Sequence, residues 1–287
     1  MENRKTLILS DSTCDLSTEI VKARDIRISP LTVVLGDEKH LDGTDITPDD
    51  IYEYYKKSGQ LAKTTATNIA EHLDFINKNL SDSDEAVYFN ISSDMSTSYN
   101  NARLACEDME NIYVIDSRNL STGIGLLVLH AADLADEGKN AKEIYDEITA
   151  IIDNVDASFV VDTLEYLHKG GRCSSIAALG ANLLKLRPMI QVKDGKMSVA
   201  KKYRGKMSDV LKQYVEEKLN DENSFIGKRI FVTHSGGCDE IAIELKAMAE
   251  ASFPDKEVII TRAGCTVSSH CGPGTLGILG IRQNPLN

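Results

Sequence analysis

Residues 86–99 read AVYFNISSDMSTSY and contain the pattern that decides the fold. The apolar run over 86–91 is rich in aromatic and β-branched residues, which predicts a buried strand. Five Ser and Thr residues end this run, and small apolar residues follow at helical spacing over 99–109. Ligands of open α/β sheets lie outside the carboxyl ends of strands, and helix N-termini bind anions. The stretch therefore predicts a strand, a hydroxyl-rich loop that can hold a carboxylate or phosphate, and a helix.

Two other predicted strands end in the same way. Residues 7–9 (LIL) run into SDST at 10–13, and residues 112–115 (IYVI) run into Asp116 and Ser117. One such cluster is explained equally well as a helix N-cap, since Ser, Thr and Asp are ordinary capping residues. Its repetition after three strands favours a shared polar crevice along one edge of a sheet.

The order of predicted elements indicates an α/β fold. Strands over 7–10, 29–35, 86–91 and 112–115 alternate with predicted helices, and this alternation is typical of βαβ units and a largely parallel sheet. These helices are predicted over 16–23, 47–57, 69–80, 99–109, 123–137 and 141–152. The helix over 123–137 is apolar almost all round, so we expect it to be buried between layers.

The chain length of 287 residues predicts two domains. The polar stretch 153–157 is the candidate boundary, giving an N-terminal α/β domain over 1–157 and a C-terminal α/β domain over 158–287. Asp194 and Gly195 separate two apolar runs and predict a hairpin, so the second sheet should be mixed. Its other predicted elements are strands over 159–161, 229–233 and 258–260, and helices over 177–185, 208–219 and 239–251.

Charge and hydropathy exclude several classes of function. A net charge of −12 and a pI near 5.0 argue against binding of nucleic acid or of an anionic membrane. The sequence shows neither a signal-peptide core nor an apolar run long enough for stable membrane insertion, so we expect a cytoplasmic protein. The six cysteines lack C-x-x-C spacing, and the sequence predicts no metal site and no cofactor.

Two short strings add candidate ligand-binding residues. His270 opens the string HCGPG, where two glycines and a proline predict a rigid loop whose imidazole can donate to an anion. An ordinary tight turn explains this string equally well. Arg172 follows two glycines. Its guanidinium either binds the carboxylate or phosphate of a ligand through paired hydrogen bonds, or forms an ordinary surface ion pair. The common nucleotide-binding and hydrolase motifs do not occur.

Taken together, these strings resemble the DegV family of bacterial fatty-acid-binding proteins, the acyl-binding subunits of the fatty acid kinase system. The resemblance runs along nearly the whole chain in the same order. Its most specific string is LEYLHKGGRCS at 164–174. The other matching strings are SDST at 10–13, DG at 42–43, ISSDMS at 91–96, VIDS at 114–117, RP at 187–188 and HCGPGTLG at 270–277.

The resemblance implies two α/β domains with one long-chain fatty acid between them. The residues matching the family's carboxylate ligands are Thr64, Ser96 and His270, and Arg172 matches an arginine linked to activity with the kinase. The neighbouring residues Thr65, Ser93, Thr97 and Gly272 are expected to support the site. The resemblance also implies that a separate ATP-binding kinase subunit phosphorylates the bound acid, that an acyltransferase uses the acyl phosphate for phospholipid synthesis, and that the binding protein is not an enzyme.

Three departures from the family pattern concern the head-group region. The string at 64–68 is TTATN and lacks the usual proline, Thr97 replaces a glycine, and Cys271 replaces a threonine. Two other functions stay open on the residues alone. One is a hydrolase or acyltransferase with Ser96 as nucleophile and His270 as base. The other is a binding protein for a phosphorylated metabolite, because helix N-termini also suit phosphate.

Overall fold

The computed structural model describes residues 6–81, 84–173 and 186–286. The helix predicted over 177–185 lies outside these ranges. The elements of the first half are β1 (Thr6–Asp11), α1 (Thr18–Ala23), β2 (Arg27–Ser29), β3 (Thr32–Leu35), β4 (Glu38–Leu41), α2 (Pro48–Ser58), β5 (Lys63–Thr65), α3 (Ile69–Asn79), β6 (Glu85–Asn90), α4 (Ser98–Ala105), β7 (Ile112–Asp116), α5 (Thr122–Asp136) and α6 (Ala141–Ile151).

The elements of the second half build one large sheet and its covering helices. They are β8 (Val155–Val160), α7 (Glu165–Gly170), β9 (Arg187–Lys193), β10 (Lys196–Tyr203), α8 (Met207–Leu219), β11 (Phe225–His234), α9 (Asp239–Ser252), β12 (Glu257–Arg262), α10 (Cys265–Cys271) and β13 (Leu276–Arg282). The α/β class and the two-part layout predicted from the sequence are confirmed. Among the described residues, no helix is both long enough and apolar enough to cross a bilayer.

The first half contains the predicted parallel sheet. Its strand order is β2-β1-β6-β7, and every neighbouring pair is parallel. The carboxyl ends of β1, β6 and β7 therefore lie at one edge, as the repeated hydroxyl and acidic strand ends predicted. The following helix α4 ends at Ala105, earlier than the predicted 109. The acidic residues at 107, 108 and 110 oppose the negative end of a helix dipole and disfavour its continuation.

A small antiparallel sheet, with strand order β4-β3-β5, was not predicted. The single strand predicted over 29–35 is wrong, because β2 and β3 belong to different sheets and Pro30 lies between them. Proline lacks the N–H that a continuous strand would need there. The third strand of this sheet, β5, begins at residue 63, in a segment for which no strand was predicted.

The second half contains a six-stranded mixed sheet with order β10-β9-β8-β13-β11-β12. The predicted hairpin is confirmed: β9 and β10 are antiparallel, and Asp194 and Gly195 have φ values of 52° and 78°. Strand β13, near the centre of the sheet, was missed. The predicted boundary between residues 157 and 158 falls inside β8, all of which belongs to this sheet. The division into two domains itself stays a prediction.

Helix α5 lies between the two large sheets, as its apolar sequence predicted. It packs against β1 and β6 on one side and against β8, β11 and β13 on the other. Twelve of its fifteen residues are buried. The main hydrophobic cluster includes Phe89 from the parallel sheet, Leu127 from α5 and Phe231 from the mixed sheet. The two halves therefore share one apolar core.

The rigid loop predicted around His270 is instead the end of a helix. His270 lies in the last turn of α10, and Gly272 and Gly274 follow with φ values of 72° and 75°. Two serines, Ser268 and Ser269, and two β-branched residues, Thr266 and Val267, give this segment little helix propensity, so the sequence shows no helical signal. The contacts that hold α10 come from residues far away in the chain.

Candidate functional site

A cavity of about 420 Å³ lies where the two halves meet, bordered by β5, the loop between β6 and α4, α10 and the segment after α7. Its volume is within the range of small-molecule sites in proteins. Seven of the eight predicted site residues line it: Thr64, Thr65, Ser93, Ser96, Thr97, Arg172 and His270. Residues separated by up to 206 positions in the sequence thus share one cavity.

The strand-end acids hold the loop that follows β6. Asp11, at the end of β1, accepts a hydrogen bond from Ile91 N at 2.8 Å, and Asp116, at the end of β7, accepts one from Ser93 N at 3.1 Å. The Ser93 hydroxyl also donates to Asp116 at 2.5 Å. Burial raises the pKa of Asp11 to about 6. The predicted crevice is therefore built differently than expected. The acids that end β1 and β7 support the loop after β6, and this loop, together with Leu120 after β7, lines the cavity.

Ser96 acts both as a local capping residue and as part of the cavity wall. Its Oγ accepts a hydrogen bond from Ser98 N at 3.2 Å, at the start of α4. A hydroxyl that accepts one hydrogen bond still has its own proton to donate. The local hydrogen bond to the start of α4 is therefore present, and Ser96 also lines the cavity, where its hydroxyl proton is free to be donated. Its role in ligand binding stays a prediction.

Thr64 and His270 form the polar contact that joins the two halves at the cavity. Thr64 Oγ1 and His270 Nε2 are 2.8 Å apart. Thr64 lies in β5, where its backbone pairs with Val33 of the small sheet, and His270 comes from α10. When Nε2 carries the ring proton, it donates a hydrogen bond to Thr64 Oγ1. The hydroxyl proton of Thr64 is then free to be donated to a ligand.

The other ring nitrogen of His270 lies against α7. A Cβ atom added at Gly170 would be 2.5 Å from His270 Nδ1, so only glycine leaves room for the ring in this position. Nδ1 is buried and has no hydrogen-bond partner among the described residues. Burial, together with the charge of Arg172, lowers the pKa of His270 to about 4. The imidazole is thus neutral at physiological pH in the ligand-free protein.

Arg172 supplies positive charge at the exposed side of the cavity. Its Nη1 donates to the carbonyl of Gly170 at 2.7 Å, which holds the guanidinium close to the end of α7. After burial, the charge of Arg172 is the second cause that lowers the pKa of His270. The remaining donors of Arg172 are available to an anion bound near the cavity entrance.

Gly272 is the predicted site residue that does not line the cavity. A Cβ atom at Gly272 would be 2.5 Å from Cδ2 of Tyr166, and the residue has a positive φ of 72°. Its carbonyl accepts a hydrogen bond from Ser235 Oγ at 2.5 Å. Gly272 therefore fixes the C-terminal end of α10 and supports His270 only indirectly.

Several lining residues were not predicted as site residues. The apolar ones are Leu31, Ala66, Ile91, Met95, Leu120, Met197, Val267 and Cys271. Thr266 also lines the cavity, one helical turn before His270, and its buried hydroxyl has no partner within the described ranges. The sequence signal that was available for Ile91 and Met95 was their place in the stretch 86–99. The buried helix α5 contributes none of the residues that line this cavity.

The hairpin of the second half contacts the loop after β6 beside the cavity. Ser92 Oγ donates to the carbonyl of Gly195 at 2.7 Å, and Met197, two residues further on, lines the cavity. A Cβ at Gly195 would be 2.8 Å from Ser92 Oγ. The close approach of the hairpin tip thus completes the apolar wall.

The arrangement suits a ligand with a long apolar part and a small anionic head. Hydroxyls, a neutral imidazole and one guanidinium lie in the cavity wall, and most of the other lining side chains are apolar. The wall also includes one carboxylate, Asp94, which pairs with Lys196 at 3.4 Å. The Nε2 atom of His270 is hydrogen-bonded to Thr64, and Ser96 Oγ accepts a hydrogen bond from Ser98 N. The hydrogen bonds of the described residues therefore do not pair Ser96 with His270 as a nucleophile and its base. Within residues 6–81, 84–173 and 186–286, no three His, Cys, Asp or Glu side chains are grouped to hold a metal ion.

Comparisons with known proteins identify relatives along the whole chain. A family model described as "Uncharacterised protein, DegV family" matches residues 5–283. A DegV domain-containing protein of Clostridium perfringens is 30% identical over 281 residues, which cover 97% of this chain and 99% of the relative.

Solved structures of similar proteins have the same fold. A DegV family protein from Thermus thermophilus, described for its fatty acid binding, superposes with a TM-score of 0.86 at 26% identity, covering 97% of this chain and 99% of its own. A stearic acid-binding protein from Eubacterium ventriosum superposes with a TM-score of 0.82 at 28% identity, covering 98% of each chain. The match of the family model to nearly every residue, together with these structures, shows that the chain belongs to the DegV family.

Proposed function

We propose that this protein binds one long-chain fatty acid in the cavity between its two halves. The observation that carries the proposal is the contact of Thr64 with His270 at the wall of an otherwise largely apolar cavity. The similar proteins from Thermus thermophilus and Eubacterium ventriosum, described as binding fatty acid and stearic acid, support it.

The carboxylate is held by hydrogen bonds from Thr64 and Ser96. Each hydroxyl already accepts a hydrogen bond when His270 Nε2 carries its proton, so each can donate its own proton to a carboxylate oxygen. Such hydrogen bonds to a charged group are stronger than those between neutral groups. Thr65, Ser93 and Thr97 also line the cavity and support this head-group site.

The tail supplies most of the affinity. Burying roughly 14 methylenes at about 0.8 kcal/mol each gives on the order of 11 kcal/mol before the cost of association. A phosphorylated metabolite would gain nothing from the apolar lining residues. The lining of the cavity therefore favours a fatty acid over a small phosphate ester.

The protein then presents the bound acid, in the cytoplasm, to a separate ATP-binding fatty acid kinase. Hydroxyls and a neutral imidazole orient the carboxylate without a strong ion pair, which leaves an oxygen able to attack a phosphoryl group. Arg172 lies at the exposed side of the cavity, where it can pair with a phosphate on the acid. The acyl phosphate is then used by an acyltransferase of phospholipid synthesis, and no chemical step is assigned to this chain itself.

Denaturing extraction of the freshly purified protein, followed by mass spectrometry of the released small molecules, tests the binding step. We expect a fatty acid of C14–C18 in nearly equimolar amount. A protein that releases no fatty acid and takes up none of an added palmitic acid contradicts the proposal. Kinase-dependent formation of palmitoyl phosphate on the loaded protein tests the presentation step separately.

A further inference from the structure

The N-terminus of α10 is held by a carboxylate from the other half of the molecule. Asp42 Oδ1 accepts a hydrogen bond from Cys265 N at 2.7 Å, and Asp42 Oδ2 accepts one from Thr266 N at 3.0 Å. Both N–H groups belong to the first turn of the helix, where no partner exists within the helix itself. One carboxylate therefore caps two free donors from more than 220 residues away.

A second carboxylate completes this arrangement. Asp15 Oδ1 accepts a hydrogen bond from Gly264 N at 2.9 Å, and Ser121 Oγ donates to its other oxygen at 2.5 Å. A Cβ at Gly264 would be 2.9 Å from Asp15 Oδ1 and 3.2 Å from Asp42 Oδ1. The absence of a side chain at Gly264 is thus what lets both carboxylates approach the helix.

Asp42 is itself fixed in place. It is 4% exposed, its backbone N donates to the carbonyl of Leu31 at 2.9 Å, and Ser12 Oγ donates to its Oδ2 at 3.1 Å. The same Ser12 Oγ accepts from Leu31 N at 3.1 Å. The hydroxyl of Ser12 therefore links the carboxylate of Asp42 to the backbone of Leu31, a residue of the cavity wall.

The position of α10 depends on these end contacts. The helix has only seven residues, and helices this short are not stable without tertiary contacts. Carboxylates at the positive end of a helix stabilise it by charge as well as by hydrogen bonding. Thr266 and His270 are one turn apart and both line the cavity. Whatever fixes the first turn of α10 therefore also fixes the imidazole of His270.

We propose that Asp42 is a positioning residue of the ligand site, which holds α10 and, through it, directs His270 and Thr64 at the head group of the ligand. Asp42 is not among the cavity-lining residues, so it acts without touching the ligand. The inference rests on the proposed function for the nature of the ligand. It predicts that loss of Asp42 weakens binding of a carboxylate far more than binding of the tail.

The test compares two probes of equal chain length, palmitic acid and hexadecan-1-ol, on the full chain. Asp42→Asn keeps the shape of the side chain but replaces one acceptor oxygen with an NH2 group, which can only donate. We expect the dissociation constant for palmitic acid to rise about 10-fold or more, and that for hexadecan-1-ol to change less than about 3-fold. Asp45→Asn is the matched control, because Asp45 lies in the same loop but is exposed, and its Oδ1 contacts Leu41 N and His40 Nδ1 rather than the N–H groups of α10.

The ring nitrogen resonances of His270, measured by NMR in ¹⁵N-labelled protein without ligand, provide a second readout. With the capping carboxylate lost, the ring should gain solvent and its pKa should rise from about 4 towards its ordinary value. Asp45→Asn should leave the resonances unchanged. If Asp42→Asn does not fold, Gly264→Ala is the second variant, since its methyl group displaces both carboxylates.

The outcomes separate the two proposals. Equal losses for acid and alcohol, or unchanged palmitic acid binding together with unchanged His270 resonances, would overturn the positioning role of Asp42. If the wild-type protein binds neither probe, the proposed function fails. The His270 resonances of Asp42→Asn then still decide whether Asp42 positions the imidazole.

Discussion

The hydroxyl of Thr64 and Nε2 of His270 are 2.8 Å apart, although 206 residues separate them in the chain. Thr64 comes from a three-residue strand of the small antiparallel sheet, and His270 from the last turn of α10. The contact therefore exists only when both halves are folded and correctly placed. It makes the head-group site sensitive to small changes on either side.

Removing the hydroxyl of Thr64 should weaken binding of the acid specifically. Thr64→Val keeps the shape of the side chain but cannot donate to a carboxylate, and hydrogen bonds to charged groups contribute about 1.5–3 kcal/mol. We expect the dissociation constant for palmitic acid to rise about 10- to 100-fold in a displacement assay. Thr32→Val, in the neighbouring strand and outside the lining of this cavity, is the control. Unchanged affinity in Thr64→Val would refute the role of Thr64.

Alanine substitutions at two adjacent glycines, Gly170 and Gly171, should have opposite effects on ligand affinity and on stability. Gly170→Ala places a methyl group 2.5 Å from His270 Nδ1 and forces the ring away from Thr64, although alanine suits a helix better than glycine. Gly171→Ala meets nothing within 4 Å but is strained by a φ of +69°. We expect Gly170→Ala to lose affinity for palmitic acid with little loss of stability, and Gly171→Ala to lose about 1 kcal/mol of stability with unchanged affinity.

Titration calorimetry and urea unfolding of the two variants measure these quantities. A loss of affinity in both variants, or in neither, would show that the approach of His270 to Gly170 has no part in binding.

The stability of the ligand-free protein should depend on pH through His270. Burial lowers its pKa to about 4, whereas the unfolded chain has the ordinary value of about 6.5. The neutral imidazole therefore contributes its full stabilisation above pH 6.5, and this is lost as the pH falls to 4 because the unfolded chain binds the proton first. The difference in unfolding free energy between wild type and His270→Gln should change by up to about 3 kcal/mol between pH 7 and pH 4.

Urea unfolding at several pH values checks this expectation. His72, whose pKa is also lowered to about 4 by burial, is present in both proteins and cancels in the comparison. A difference that stays constant with pH would mean that His270 titrates normally in the folded protein.

Local signals in the sequence were sufficient for much of the fold. The hairpin at Asp194 and Gly195 needs two positive φ values, and these residue types supply them. The start of α2 is marked by Thr47 and Asp50, whose carboxylate accepts a hydrogen bond from Thr47 N at 2.8 Å. The strand ends of the parallel sheet were found for the same reason, because each signal lies within a few residues of the element that it controls.

Elements that depend on distant contacts could not be predicted. Helix α10 is capped by Asp15 and Asp42, and nothing within its own sequence indicates a helix. Strand β5 has three residues and forms because β3 offers it a partner. For the same reason the residues themselves pointed to Ser96 and His270, while Thr64, in an ordinary polar segment, was found only through the family resemblance.

The buried helix α5 constrains how a ligand can enter and leave. Six large aliphatic side chains of this helix are buried between the two sheets: Ile124, Leu126, Leu127, Val128, Leu129 and Leu134. Exposing even half of them to water would cost on the order of 5–10 kcal/mol, which is comparable to the stability of a whole domain. Separation of the two halves is therefore a strongly disfavoured way of opening the cavity. We expect exchange to follow local movement of the segments that line the cavity, while the core that joins the halves stays closed.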